Sequence, residues 1–210
     1  MSKSVYVIWD DIYHPEKTYK DIVAKLFNND RWELKTTYFA RDILKLDKAP
    51  DLVVNLTIGR PDGEADLTAD EQQKLKEMVM AGMSMMYVHA GLACVQDNTP
   101  IFDIALGRFA SHPKEHYAVY CCALPGINHP IMNGVEPFED NDEHYFCKVN
   151  VESSQPFMCS ISVAGTEIAG WTQELGRGRV CSITPGHNIP ILAKMQKLLE
   201  NAAAWCVKEI

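Results

Sequence analysis

The stretch SMMYVHAGLA, residues 84–93, runs from an apolar segment directly into His89 and Gly91. The apolar part is typical of a buried strand, and the glycine two residues after the histidine indicates a tight strand-to-helix turn. In many α/β hydrolytic folds such a turn presents a serine or cysteine nucleophile. The stretch therefore predicts an α/β fold and raises the question of what the histidine does there.

Two apolar runs upstream predict further strands of the same sheet, SVYVIWDD at 4–11 and DLVVNLTIG at 51–59. The segment 68–71, TADE, predicts a capping box that opens a helix, and Gly82 is placed to end that helix. An earlier helix is indicated by apolar residues at helical spacing: Tyr19, Ile22, Val23 and Leu26. This alternation predicts βαβ units and a mostly parallel sheet with helices on both faces.

The second half of the chain changes character, because strand candidates follow one another with short connections. They are HYAVYCCAL (116–124), HYFCKVNV (144–151), FMCSISVAG (157–165), TEIAGW (166–171) and RVCSITPG (179–186). They predict antiparallel strands added to the first sheet. A last amphipathic helix is indicated by Leu192, Met195, Leu199, Ala202 and Cys206. Without an internal repeat or linker, residues 1–210 predict one domain.

Composition narrows the class of protein. The chain has 210 residues, 47% of them hydrophobic, and a net charge of -8. An acidic chain without Lys/Arg clusters argues against nucleic-acid and membrane-surface partners. No signal peptide or transmembrane run is evident, so we expect a cytoplasmic protein. The seven cysteines are odd in number and lack a CxxC spacing, which favours reduced, buried thiols.

Polar residues follow several predicted strands at their carboxyl ends, the edge where open α/β sheets bind ligands. They are Asp10, Asp11, His14, Arg60, His89, His187 and Asn188. Two chemistries suit such a group and both stay open. Imidazoles with a carboxylate bind divalent metals, although no HExxH-type spacing supports a metal here, and they also serve as general acids and bases.

Other histidine, cysteine and serine residues are weaker candidates for a functional site. His112 and His116 are four residues apart, but Pro113 interrupts a shared helical face, and we interpret the pair as surface residues. Cys94 and Ser182 lack the context of a nucleophile, and the chain has no GxSxG, P-loop or GxGxxG motif. A covalent or nucleotide-dependent mechanism is therefore disfavoured.

Two longer stretches, HPIMNGVEPFEDNDEHYF (129–146) and GWTQELGRGRVCSITPGHN (170–188), resemble the ThuA-like family, proteins similar to the trehalose-utilisation protein ThuA. The matching residues are His129, Pro130, Ile131, Gly134, Asp142, Glu143, Tyr145, Trp171, Gly176, Gly178, Arg179, Gly186, His187 and, at the turn, His89. The resemblance implies a flavodoxin-like, class I glutamine amidotransferase-like fold. It puts His89 at the nucleophilic cysteine, and it puts Asn188 and Ile189 where Pro-Glu follows the triad histidine. Glutamine hydrolysis is therefore not expected.

The resemblance further implies carbohydrate metabolism, on trehalose or keto-sugar derivatives. As catalytic groups we predict His89, His187 and Glu143. As residues that bind a small sugar-like ligand we predict Asp10, Asp11, Tyr13, His14, Arg60, Tyr145 and Asn188. Trp9 is either a further surface on which a sugar ring could stack or a residue packed in the core.

Several alternatives stay open at this point. The chain is either an enzyme or a non-catalytic sugar-binding or regulatory module on a decayed amidotransferase fold. A divalent metal cofactor, a homo-oligomer and a sugar oxidoreductase partner are all compatible with the sequence.

Overall fold

The computed structural model describes residues 2–59 and 67–210. Its strands are β1 (Lys3–Ile8), β2 (Trp32–Thr37), β3 (Leu52–Asn55), β4 (Ser84–Val88), β5 (Gly107–Ser111), β6 (Tyr117–Ala123), β7 (Phe138–Asp142), β8 (Phe146–Val149), β9 (Gln155–Ser162), β10 (Gly165–Leu175) and β11 (Gly178–Ile183). Its α-helices are α1 (Glu16–Phe27), α2 (Ala69–Met80), α3 (Pro100–Ala105), α4 (Ile189–Lys194) and α5 (Gln196–Cys206). None of the helices in this part of the chain is long and apolar enough to span a bilayer.

The main sheet has nine strands in the order β2-β1-β3-β4-β11-β10-β9-β6-β7. The first five are parallel, and β4 lies between β3 and β11. One apolar cluster packs beneath α1 and α5, and another packs beneath α2 and α3 on the opposite face. The predicted α/β fold, with a parallel core and antiparallel strands added in the second half, is confirmed.

The local sequence signals that predicted the start and end of α2 are also confirmed. Thr68 and Glu71 form the predicted reciprocal capping box of α2. That helix ends at Met80, and Gly82 follows with a φ of +122°, a conformation that glycine tolerates. Trp9 lies in the core, 7% exposed, so the core interpretation of this residue is correct.

The acidic run at 136–145, which is not among the predicted strands, contains the edge strand β7. Phe138 and Asp142 are buried, whereas Glu139 and Asn141 point outward. β7 pairs antiparallel with β6, and charged residues suit an edge strand because they discourage further pairing. The predicted last helix is divided at Met195 into α4 and α5.

Candidate active site

Four side chains converge where the parallel strands end: His14, His89, Glu143 and His187, here called the inner cluster. One ligand atom from each lies within 4.8 Å of the others. His14 follows β1, His89 follows β4 and His187 follows β11, while Glu143 comes from the end of β7. The predicted catalytic residues are thus brought together with His14, which was predicted to bind the ligand.

His89 owes its position to the sharp turn that ends β4. Its φ is +47°, an uncommon value for a residue with a side chain, and the ring is fully buried. The turn packs tightly, because a Cβ at Gly91 would lie 2.3 Å from the carbonyl oxygen of Asn55. The sharp turn after β4 therefore presents an imidazole at its apex.

Hydrogen bonds fix the tautomer of His89. Its Nδ1 lies 2.8 Å from the carbonyl oxygen of Thr184, which can only accept, so Nδ1 carries the proton. In the neutral ring, Nε2 therefore carries no proton and offers a lone pair. It is buried, has no hydrogen-bond partner and lies 3.3 Å from Glu143 Oε2.

His14 is held in the same manner by Asp11. Its Nδ1 lies 3.1 Å from Asp11 Oδ1, and its Nε2 is buried without a partner. The Asp11 carboxylate also accepts the backbone N–H groups of Tyr13, His14 and Ile58, and the Thr57 hydroxyl. Burial raises the pKa of Asp11, but His14 and these donors outweigh burial and hold it well below its usual range. Asp11 is thus an ionised support for His14.

His187 is positioned through its backbone. Asp142 accepts the N–H groups of Gly186, at 2.9 Å, and of His187, at 3.0 Å, which ties the end of β7 to the loop after β11. The His187 Nδ1 lies 3.2 Å from Glu143 Oε2 and is the third buried ring nitrogen here without a hydrogen-bond partner.

The charges of the inner cluster follow from these contacts. Burial raises the pKa of Glu143, but the nearby His187 and His89 rings outweigh it and hold that pKa well below its usual range. Burial lowers the pKa of His89 more than Glu143 raises it. Glu143 raises the pKa of His187 against the effect of burial. The Glu143 carboxylate therefore faces a His89 ring that stays neutral, with a lone pair on Nε2, and a His187 ring whose protonated form the carboxylate favours.

Aromatic side chains lie around the inner cluster. Tyr145 is buried and stacks on His89 with ring centroids 4.0 Å apart, and it packs against Phe109 at 4.4 Å. Tyr13 is 66% exposed, and its ring lies edge-on to His14 at 6.3 Å. Tyr13 is thus the predicted aromatic residue that is open to a ligand.

His112 and His116, interpreted from the sequence as surface residues, lie instead at the inner cluster. Their Nε2 atoms are 3.7 Å and 3.6 Å from Glu143 Oε1, and their side chains are about one-third exposed. They reach it from the segment between β5 and β6. No local sequence pattern places them there, because the pairing of β5 with β8 is non-local. The HPKEH spacing was the available signal.

Asp10 and Asn188, also predicted to bind the ligand, are not among the four residues of the inner cluster. Asp10 accepts the backbone N–H of Glu16 at 2.8 Å and so supports the start of α1. Asn188 caps α4, accepting from the Ile191 N–H, and its amide donates to the Asn141 carbonyl. Arg60 lies outside the described residues.

Comparisons with known proteins agree with this architecture. The chain is similar to a structure described as a ThuA-like protein from Parabacteroides merdae, with 16% identity, 100% of this chain and 91% of the other covered, and a TM-score of 0.74. A second ThuA-like structure, from Bacteroides uniformis, has 15% identity, coverage of 97% and 91%, and a TM-score of 0.72. A Salmonella typhimurium structure described as a cytoplasmic protein has 10% identity, coverage of 97% and 98%, and a TM-score of 0.65.

These identities establish a shared fold alone. No curated protein matches the chain. A family model does match, over residues 5–206, and its description is ThuA, trehalose utilisation. That match spans nearly the whole sequence, so the chain belongs to the ThuA family.

Proposed function

We propose that this protein binds a divalent transition metal at the inner cluster and acts there on a small, sugar-like polar ligand in carbohydrate metabolism. One observation carries the proposal. Three buried ring nitrogens without hydrogen-bond partners, those of His14, His89 and His187, surround the carboxylate of Glu143. Buried polar atoms are normally bonded, so three orphans at one point call for a partner.

The donor set fits a metal ion. Two ligands about 2.1 Å from one ion lie roughly 3.0–3.5 Å apart at common coordination angles. The distances of 3.2 Å and 3.3 Å from Glu143 Oε2 to His187 and His89 agree. His14 and His89 each donate the other ring N–H, to Asp11 and to Thr184, the usual outer support of metal-binding histidines. Imidazole with carboxylate suits first-row metals such as zinc or manganese.

The chain's own groups have defined tasks in this proposal. A bound divalent ion supplies Lewis-acid polarisation of a ligand oxygen. His14, His89 and His187 each direct one buried ring nitrogen toward the same point. Asp11 and Thr184 hold the rings of His14 and His89, and Asp142 holds the backbone of His187. Tyr145 covers His89 and excludes water from that side, while Tyr13 offers an exposed ring to an apolar sugar face.

Glutamine amidotransferase activity has no support in this site. His89 stands at the position of the cysteine nucleophile in that fold, and the nearest cysteine in sequence, Cys94, donates its thiol to the Gly91 carbonyl. The sugar-like ligand rests on the family description, trehalose utilisation. We also propose that the protein acts in the cytoplasm and alongside a sugar oxidoreductase, two expectations that await cell fractionation and co-purification.

The experiment has two parts. Protein purified without chelator is analysed for metals, then stripped and titrated with zinc and with manganese. One equivalent per chain is expected for the wild type, and none for His14→Ala or His187→Ala. His144→Ala is the matched control, because the His144 ring nitrogens face Ser162 and Ser160 rather than the inner cluster. No stoichiometric metal in the wild type, before or after titration, would contradict the proposal.

The second part incubates metal-loaded protein with trehalose and oxidised trehalose derivatives and follows the sugars by mass spectrometry. Conversion of a sugar by the wild type but not by His187→Ala would support an enzyme. Binding heat with an unchanged sugar would favour the alternative, a binding or regulatory module on the same fold.

A further inference from the structure

We propose that His112 and His116, here called the outer pair, bind a hydroxyl group of the ligand beside the inner cluster. The preferred ligand then carries a hydroxyl next to its metal-directed oxygen, as in a vicinal diol or an α-hydroxy carbonyl compound. This inference rests on the proposed function and specifies the ligand class of the same site.

The two oxygens of Glu143 face different partners. Oε2 faces His89 and His187, at 3.3 Å and 3.2 Å, whereas Oε1 faces His112 and His116, at 3.7 Å and 3.6 Å. The second pair of distances exceeds the range of a hydrogen bond. A ligand hydroxyl in this gap has one proton, which it can donate either to an outer ring lone pair or to the carboxylate, and its oxygen can accept from an outer ring that presents an N–H.

The outer pair is assigned to the ligand rather than to the ion. Among the described residues, the group of metal-ligating atoms that lie within 4.8 Å of one another has four members and includes neither outer histidine. His116 nevertheless lies against this group, with its ring edge-on to His187 at 5.0 Å. The outer pair thus adjoins the inner cluster without belonging to it.

The tautomer of His112 suits an acceptor role. Its Nδ1 lies 2.6 Å from the Pro113 carbonyl oxygen, which can only accept, so Nδ1 carries the proton and Nε2 offers a lone pair. This Nε2 atom lies 3.7 Å from Glu143 Oε1, next to the inner cluster. A hydroxyl of the ligand can therefore donate to His112.

Exposure separates the two sets. The side chains of His112 and His116 are 31% and 34% exposed, and those of the inner cluster are less so: 0% for His89, 5% for His14, 11% for Glu143 and 23% for His187. A ligand that approaches from solvent thus meets the outer pair on its way to the inner cluster.

The test uses cobalt-loaded protein and two probes that differ by one hydroxyl, acetohydroxamate and glycolohydroxamate. Affinities are read from the visible spectrum of cobalt. The wild type is expected to bind glycolohydroxamate about tenfold more tightly, the value of one added hydrogen bond. In the double variant His112→Ala/His116→Ala this ratio should fall to about one. Lys114→Ala, an exposed neighbour on the same segment, is the matched control and should keep the ratio.

Two results would overturn the assignment. One is equal affinity of the wild type for both probes. The other is loss of cobalt from the double variant, which would make the outer pair metal ligands. Failure of the wild type to bind cobalt at all is a different outcome, because it removes the proposed function on which the assignment rests.

Discussion

Two groups of buried histidines differ in how their ring nitrogens are used. In the antiparallel half, His129 accepts from the Ile131 N–H and meets the Thr172 hydroxyl, and His144 lies between the hydroxyls of Ser162 and Ser160. At the carboxyl edge of the parallel half, each histidine of the inner cluster keeps one buried nitrogen without a partner. A satisfied histidine contributes to folding, whereas an orphaned buried one costs stability. In our proposal the orphaned nitrogens bind a metal.

Replacing an orphaned histidine should have the largest effect on metal binding. His187→Ala removes one of four ligand atoms, and we expect metal affinity to fall by at least about 100-fold. The melting temperature of the metal-free variant should move by only a few degrees, since the side chain is partly exposed. Competition titration with a chromophoric chelator and calorimetry check both. If His187→Ala kept its metal affinity but lost much of its folding stability, His187 would belong with the hydrogen-bonded histidines that stabilise the fold.

Removing the support of an orphaned histidine should have a smaller effect. Asp11→Asn keeps the shape but loses the charge that orients His14, so metal affinity should fall about 10- to 100-fold. The same chelator competition measures it. Asp10→Asn, which alters a residue directed at α1 rather than at His14, is the neighbouring control and should leave affinity near that of the wild type.

The opposite result is expected for a satisfied histidine. His144→Ala leaves the hydroxyls of Ser160 and Ser162 without their buried partner, and should lower the free energy of unfolding by about 1–3 kcal/mol. Metal affinity should match the wild type. Urea unfolding of the metal-free proteins provides the measurement, and a simultaneous loss of metal would argue that the two groups are not separate.

The pH dependence of stability sharpens the same distinction. Burial lowers the pKa of His144 more than its hydrogen bond to Ser160 raises it, so the folded protein keeps this ring neutral. As pH falls below about 6.5, the unfolded chain binds the proton first, and stability declines toward the lower folded pKa. Metal-free His144→Gln should lose less stability than the wild type between pH 7 and about pH 5. If stability changed with pH equally in His144→Gln and in the wild type, His144 would contribute nothing to the pH dependence.

The smallest effect is expected at the rim. Tyr13→Ala removes an exposed ring and should change the free energy of unfolding by less than about 0.5 kcal/mol. Its effect should be confined to a modest weakening of sugar binding, measured by calorimetry with trehalose. A marked loss of folding stability would show that Tyr13 packs rather than binds.

Sequence patterns predicted the parallel half well, because its strands are apolar runs and its ligand residues follow those strands directly. His14, His89 and His187 were found for that reason. Strand β7 was missed because an edge strand with outward charges has the composition of a loop. The outer pair was missed because it depends on the pairing of β5 with β8, which no local pattern encodes. Which ring nitrogens are orphaned is likewise visible only in three dimensions.

Anomalous X-ray diffraction from crystals of the protein grown with zinc tests the metal centre most directly. One peak is predicted between His14 Nε2, His89 Nε2, His187 Nδ1 and Glu143, about 2.0–2.2 Å from each ligand atom. No peak at that point, with the three ring nitrogens hydrogen-bonded to Glu143 or to water instead, would contradict the proposal that these orphaned histidines hold a metal.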